Sequence, residues 1–268
     1  MKLLNKLGII ILVGLSVVSC KKESYNLESP LDKSQLKFSV TQQQSKDNVV
    51  YLASQTPKVI PYWDYSSGTS SRVNDTIIFP FSGDYLIKYS AYTGGGFVQG
   101  DSVTVHVTNT DLSYLTDSSW YYLTHATGKV WELDMTQPMG YYGLDYLKHN
   151  GSAADWSWLP DLASNSWIMT NRYYGNITFD LNNAKNYQKI SVDENGVSTT
   201  CNGKFDFDPS THKMKLMGCE LLFGGDYYSA VANWNDVTVI KITEDEMILG
   251  VVRTLDPCWL GFTFKPKG

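Results

Sequence analysis

The chain has no basic surplus: 22 Lys and Arg stand against 27 Asp and Glu, for a net charge of −5. Phosphate contacts dominate nucleic-acid affinity, so an acidic chain without a basic cluster is a poor nucleic-acid binder. Histidine is scarce. His106, His125, His149 and His212 are scattered with no pair at metal-ligand spacing, so no metal site is expected. No G-x-S-x-G elbow occurs, which removes the usual presentation of a nucleophilic serine. After residue 20 no apolar run approaches the roughly 20 residues that a membrane-spanning helix needs. Charged residues are only 18%, while 18 Tyr and 8 Trp lift the aromatic share to 13%. Such a chain buries a substantial core, with more rings than a β core usually needs.

What is present begins at the N-terminus. Lys2 and Lys6 precede an apolar run from Leu7 to Val18 and the small Ser19, the layout of a secretory signal. Val17-Val18-Ser19-Cys20 resembles a bacterial lipobox. The resemblance implies a signal peptide over residues 1–19 and lipidation of Cys20. The lipid would anchor the protein to a membrane without spanning it. Removing Lys2 and Lys6 leaves 20 basic against 27 acidic residues, a net charge of −7. Residues 20–30 are polar and aperiodic, as expected of a lipidated tether.

Cysteine is limited to four residues. Apart from Cys20, the trio Cys201, Cys219 and Cys258 leaves at least one thiol free or paired between chains. "GKFDFDPSTHKMKLMG" reads as a hairpin with its turn at Asp208–Thr211. Pairing Phe207 with Met214 puts Phe205 and Leu216 on the same core face and sets Asp206 opposite Lys215. Continuing that register points Cys201 and Cys219 to opposite faces, which argues against a disulfide unless a bulge intervenes.

The expected fold is all-β, in two domains. Residues 31–110 hold short alternating runs such as "NVVYLAS", "DYLIKYSAYT" and "DSVTVHVTN", which predict a small sandwich. Trp63-Asp64-Tyr65-Ser66-Ser67-Gly68 and Gly83-x-Tyr85 resemble the PKD domain, an immunoglobulin-like family, although Ser66-Ser67 stands where that family has Gly-Asp. The resemblance implies a spacer with Trp63 in its core. Residues 111–119 read as a linker. Residues 120–268 carry about nine strand candidates punctuated by Gly, Asn and Asp, expected to form a larger sandwich of jelly-roll type.

The best catalytic lookalike is "WELDMTQ", residues 131–137. It resembles the E-x-D-x-x-E strand of jelly-roll glycoside hydrolases of family 16, whose two glutamates act as nucleophile and acid/base. Glu132 and Asp134 fill the first two places, but Gln137 replaces the second glutamate, and an amide cannot relay the proton as a carboxyl does. Strand alternation turns Trp131 and Leu133 inward and the two carboxylates outward. "DFDPSTHK" and "DENG" are acidic turns without the full ligand spacing of a calcium site. "YTGGGF" has no following helix or lysine and reads as a turn, not a phosphate loop.

That leaves the rings between Met139 and Tyr174, in "MGYYGLDYLKHNGSAADWSWLPDLASNSWIMTNRYY". The stretch has poor strand alternation and reads as a long loop, a place where function concentrates. Sugars suit such a surface: their C–H faces lie on aromatic rings and their hydroxyls take hydrogen bonds from neighbouring polar groups. Trp156 and Trp158 share a face if extended, and Asp155 and Asp161 are their polar partners. Tyr141, Tyr142 and Tyr146 follow, and Trp234 in "ANWNDV" is a rim candidate. Trp131, Trp259 and Trp167, the last because apolar Ile168-Met169 follows it, are expected in the core.

"LTHATGKVWELD", "MGYYGLDY", Gly203–Asp208 and Trp259–Lys267 together resemble, along nearly the whole second half, surface lipoproteins of Bacteroidota that place a PKD-like module before a β-sandwich. These accompany glycan uptake systems of the starch-utilisation type. The resemblance implies glycan binding at the outer membrane's surface, without a cofactor, in company with an outer-membrane glycan transporter. Asp75-Thr76-Ile77 and Asp101-Ser102-Val103 match the protein O-glycosylation pattern of that group, at Thr76 and Ser102. A jelly-roll glycosidase using Glu132 and Asp134, and a structural or adhesion lipoprotein, remain the competing expectations.

Overall fold

The computed structural model describes residues 28–29, 31–65 and 68–268. The expected signal peptide, Cys20 and nearly all of the tether lie outside the described residues. Strand accounts for 49% and helix for 7%, so the all-β expectation holds. Two compact units form, one ending at Thr108 and the other running from Asn109 to Gly268 together with Pro80–Ser82.

Among the described residues the first unit has seven antiparallel strands: β1 (Phe38–Gln43), β2 (Lys46–Ser54), β3 (Ile60–Tyr65), β4 (Gly68–Ser70), β5 (Asn74–Ile78), β6 (Gly83–Thr93) and β7 (Gly96–Val107). They make two sheets, β1-β2-β5 and β4-β3-β6-β7. Alternation supplies the core between them: Val50, Leu52 and Ile77 from one sheet meet Trp63, Ile87, Tyr89 and Val105 from the other. Trp63 is fully buried, as expected, and its Nε1–H donates to the Arg72 carbonyl at 3.0 Å. That bond removes the cost of burying an indole N–H without a partner.

Early in the second unit, after a single 3-10 turn at Leu112–Tyr114, comes a short helix, α1 (Ser118–Thr124), whose first two residues fall in what reads from sequence as a linker. Its strands are β8 (Lys129–Leu133), β9 (Met139–Gly143), β10 (Ser157–Trp158), β11 (Gly175–Asp180), β12 (Asn186–Val192), β13 (Ser198–Asp208), β14 (Lys213–Met217), β15 (Asp236–Ile242), β16 (Met247–Val252) and β17 (Cys258–Pro266). The jelly-roll expectation needs correction. A jelly roll is built from Greek-key crossovers, whereas from β11 to β17 each strand pairs with the next in sequence. β17 is long enough to pair twice: Cys258–Phe262 lies beside β9, and Phe264–Pro266 beside β8. Because β8 also pairs with β11, the sheet closes into an up-and-down ring of eight strands. An eight-stranded barrel is just wide enough inside to be filled by side chains. Trp131, Phe179, Tyr187, Phe205, Phe262 and Phe264 fill this one, all essentially without solvent contact.

α1 packs on both β11 and β15, strands well apart in the ring, so it lies across one end of the barrel. Trp120 reaches Phe207 at 5.2 Å, and Trp131 Nε1–H donates to the Leu123 carbonyl. The opposite end carries the long connections 144–174 and 218–235.

The hairpin register is as the sequence predicts: Phe207 pairs with Met214 and Asp206 with Lys215. The inference drawn from it about cysteine is not. Pairing stops at Met217, and Gly218 takes φ +86, a left-handed conformation suited to glycine. The pleat therefore does not continue to Cys219. That residue turns inward and bonds to Cys201, with Cα atoms 6.0 Å apart. Cys258 is buried and free.

Candidate functional site

The open end of the barrel is built on β9 and its short partner β10. Trp158 pairs with Tyr141, and Ser157 with Tyr142. The Gly143 N–H donates to the Trp156 carbonyl at 2.7 Å, so the register extends one residue further. By alternation Trp156 and Trp158 lie on the side of Tyr141 and Gly143. The Tyr141 and Trp158 rings are stacked with centroids 5.7 Å apart, and Trp158 stacks in turn on Trp167 at 6.0 Å. Three near-parallel rings thus form a row. Trp167 is 73% exposed, Trp156 42% and Trp158 38%. Tyr141 anchors the row: the Arg253 guanidinium lies 4.9 Å from its ring, and Tyr141 is itself half-buried.

The core expectation for Trp167 is therefore overturned. Ile168 and Met169, not Trp167, take the inward positions at that bend. Two other candidates move the opposite way. Tyr142 is 1% exposed and Trp234 3%. Adjacent residues of a strand face opposite ways, so Tyr142 cannot join Tyr141. It packs with Ile240, Ile248 and Trp259 under Leu144, Tyr146 and Leu147. Burial pushes its hydroxyl's pKa up. Tyr146 belongs to the same small cluster, with its ring 5.0 Å from that of Tyr142. Trp234 is stacked 4.1 Å from Phe223, and its Nε1–H donates to the Tyr228 carbonyl. The polar surroundings that marked it as a rim residue are explained by Asn235, whose amide donates to the carbonyls of Leu216 and Cys219.

The two aspartates serve their own loop. Asp155 accepts from the Gly151 N–H and pairs with His149 at 3.4 Å. Asp161 accepts from the Ser164 N–H at 2.7 Å, and that bond holds its pKa below the usual carboxylate value. Asp161 still borders a shallow cleft of about 550 Å³.

A larger cleft of about 720 Å³ opens beside Trp167, lined also by Arg172, Tyr174, Glu194, Asp226 and Tyr227. Three connections meet here: the end of 144–174, the β12–β13 turn and the segment 218–235. Arg172 staples the first two together. Its Nη1 donates to the carbonyls of Val192 and Asp193, and its guanidinium lies 3.9 Å from the Tyr174 ring centroid. Tyr227 donates to the Ile168 carbonyl at 2.9 Å. Burial, aided by the neighbouring Tyr141, pushes its pKa up to about 12, so it stays a neutral hydroxyl at physiological pH. The cleft thus has ring walls, a guanidinium, two carboxylates and phenolic hydroxyls. From sequence, Arg172, Asp226 and Tyr227 are not singled out as site residues, and Glu194 is noted only within the acidic turn "DENG". The signal for Asp226 and Tyr227 is the length of the 218–235 connection, which exceeds ordinary loops as 144–174 does.

Elsewhere Trp131 and Leu133 face the barrel core, with Glu132 and Asp134 half-buried on the outer side. Gln137 donates to the Leu159 carbonyl, a structural bond in the place where the glycosidase pattern has an acid. Asp208 accepts from Ser210 and Thr211, and Asp193 from the N–H groups of Asn195 and Val197. These turn carboxylates hold their own turns. Among the described residues no group of three His, Cys, Asp or Glu could hold a metal. No helix among them is long and apolar enough to cross a membrane. A scan of protein-family models finds no match to this chain, and neither does a search of curated proteins.

Proposed function

We propose that the protein is a non-catalytic, membrane-anchored lipoprotein that binds a polysaccharide or oligosaccharide on the open end of its barrel. The row Tyr141–Trp158–Trp167 carries the reading. Indoles so exposed are normally withdrawn from water unless they meet something, and flat rings beside a cleft of mixed donors and acceptors suit a sugar's C–H face and hydroxyls. The platform is Trp156, Trp158 and Trp167 with Tyr141 as anchor. Arg172, Glu194, Asp226 and Tyr227 supply the polar contacts, in place of Asp155, Tyr142, Tyr146 and Trp234. Cys20 anchors the chain in the outer membrane, facing the cell surface. The first unit acts as a PKD-like spacer, and an outer-membrane glycan transporter is the natural recipient of the captured sugar.

The test is affinity electrophoresis of the chain from residue 24 onward, through gels containing individual polysaccharides. One glycan should retard the wild type, and Trp158→Ala/Trp167→Ala should weaken that affinity about tenfold or more, since each ring contributes about 0.5–1.5 kcal/mol. Unchanged retardation of the double variant sinks the proposed platform.

A further inference from the structure

The first unit has a ring cluster of its own, on the outer face of the sheet β4-β3-β6-β7. Trp63, Ile87 and Tyr89 point into the sandwich, so their neighbours along β3 and β6 point out. Register sets these outward side chains in cross-strand rows. Ile60, Tyr92 and Phe97 are directly opposed across β3, β6 and β7, and all three are exposed. The next row is Tyr62, Ser90 and Gln99; the third is Asp64, Lys88 and Ser102. Tyr62 meets both Tyr92 and Phe97 edge-on at 6.3 Å, and those two rings are 5.0 Å apart. One end of the face is therefore aromatic and the other polar.

The third row depends on an irregularity. The β6–β7 register shifts between Lys88 and Ser90, opposite Gly100-Asp101. A bulge of this kind re-aims the side chains beyond it and recurs at binding sites. Without it, strict alternation from Phe97 and Gln99 would turn Val103 outward and Ser102 inward. With it, Val103 packs on the core while Ser102 borders the cleft. The cleft measures about 470 Å³ and has Tyr62 and Phe97 as its ring wall, a volume within the usual range of roughly 300–1,000 Å³ for ligand sites.

Its charges cancel locally. Lys88 pairs with Asp64 at 3.3 Å, and Lys33 with Asp101 at 2.6 Å. A charged ligand would have to break one of these pairs. A neutral polyhydroxylated ligand can use both as donors and acceptors while stacking on the rings. We infer that the first unit carries a second carbohydrate site, specific for neutral sugars, on this face. It would make that unit a binding module as well as a spacer, and it does not depend on the barrel platform.

The experiment is calorimetric titration of the chain from residue 24 onward with maltohexaose, cellohexaose, xylohexaose and mannohexaose, with hexagalacturonate as the charged probe. Three variants accompany the wild type: Tyr62→Ala/Phe97→Ala, Ser102→Arg and Trp158→Ala/Trp167→Ala. Ser102→Arg blocks the cleft while leaving every ring in place, so the test survives if the ring variant folds poorly. The expected result is that at least one neutral probe still binds Trp158→Ala/Trp167→Ala and loses tenfold or more of its affinity with Tyr62→Ala/Phe97→Ala and with Ser102→Arg. Loss confined to Trp158→Ala/Trp167→Ala overturns the second site and leaves the barrel platform standing. No binding of any neutral probe to the wild type, or binding of hexagalacturonate alone, overturns it as well.

Discussion

Replacing Trp234 by alanine removes a buried ring stacked on Phe223 and one of the two hydrogen bonds to the Tyr228 carbonyl, which keeps only that from the Val231 N–H. The expected loss is about 3–5 kcal/mol, read as a lower urea midpoint. Trp167→Ala, at an exposed indole, should stay within about 0.5 kcal/mol while weakening sugar binding. A midpoint for Trp167→Ala that falls as far as that of Trp234→Ala would show the ring to be structural. Cysteine divides in the same way. The Cys201–Cys219 bond closes a separation of 18 residues, for which loop entropy gives about 3 kcal/mol. Cys201→Ala/Cys219→Ala should therefore melt lower than the wild type under non-reducing conditions. In the intact native protein, buried Cys258 should resist alkylation until denaturant is added. At this scale sequence neighbourhood misleads in a consistent way. Trp167 precedes an apolar pair and yet faces water; Trp234 sits among asparagines and yet is buried. In irregular loops no pleat ties a side chain's direction to its neighbours, so flanking polarity is a poor guide. Where a strand does tie them, at Trp63, Trp131 and Trp259, the expected burial is found.

Among the elements, β9, β10 and the close contact between them decide whether the ring row exists. A Cβ at Gly143 would overlap the Ala154 carbonyl oxygen and crowd Trp156. Gly143→Ala should therefore push the 150–158 segment off β9 and weaken glycan retardation as far as loss of the rings does, with Trp156 and Trp158 still present. Retardation like that of the wild type would detach the row from the β9–β10 pairing. α1 offers a pH test. The Ser119 hydroxyl and N–H hydrogen-bond to Asp117 and hold its pKa below the ordinary 3.8. Unfolding restores 3.8, so the unfolded chain takes up the proton first as pH falls. The stabilisation is complete above 3.8 and disappears as pH drops through the lower folded value. Removing such a cap costs about 1 kcal/mol. Asp117→Ala should lower the melting temperature at pH 7, and its deficit should shrink below pH 3.8; a deficit independent of pH would remove the carboxylate from the account. Most strands are legible as alternation, and the β13–β14 register as alternation of Phe205 and Phe207 with charged neighbours. α1 is not: its seven residues are too few to establish a helical period.

For the whole molecule, the decisive contact is β17 with β8, between residues more than a hundred positions apart. Each strand of a sandwich and each strand of a barrel carries the same alternation, because both bury one face. Alternation therefore establishes the all-β class and leaves closure open. Closure in turn packs the barrel interior with rings and moves any ligand to the loop end, where 144–174 and 218–235 meet. A site at the end of a barrel on an acidic chain, with a net charge of −7 from Cys20 onward, has little attraction for anionic lipid. The proposed membrane residence must then come from the lipid proposed at Cys20 and not from the protein surface. One acyl chain gives only marginal binding, and stable anchoring needs more than one signal, so the proposed anchor requires full modification of that single cysteine. Cys20→Ala, expressed in the native host, should move the protein from the detergent phase of a Triton X-114 partition to the aqueous phase and abolish labelling by radioactive palmitate. Glycan retardation of the released protein should be unchanged. Detergent-phase partition that persists in Cys20→Ala would locate the membrane contact elsewhere in the chain and remove the lipid anchor from the proposal.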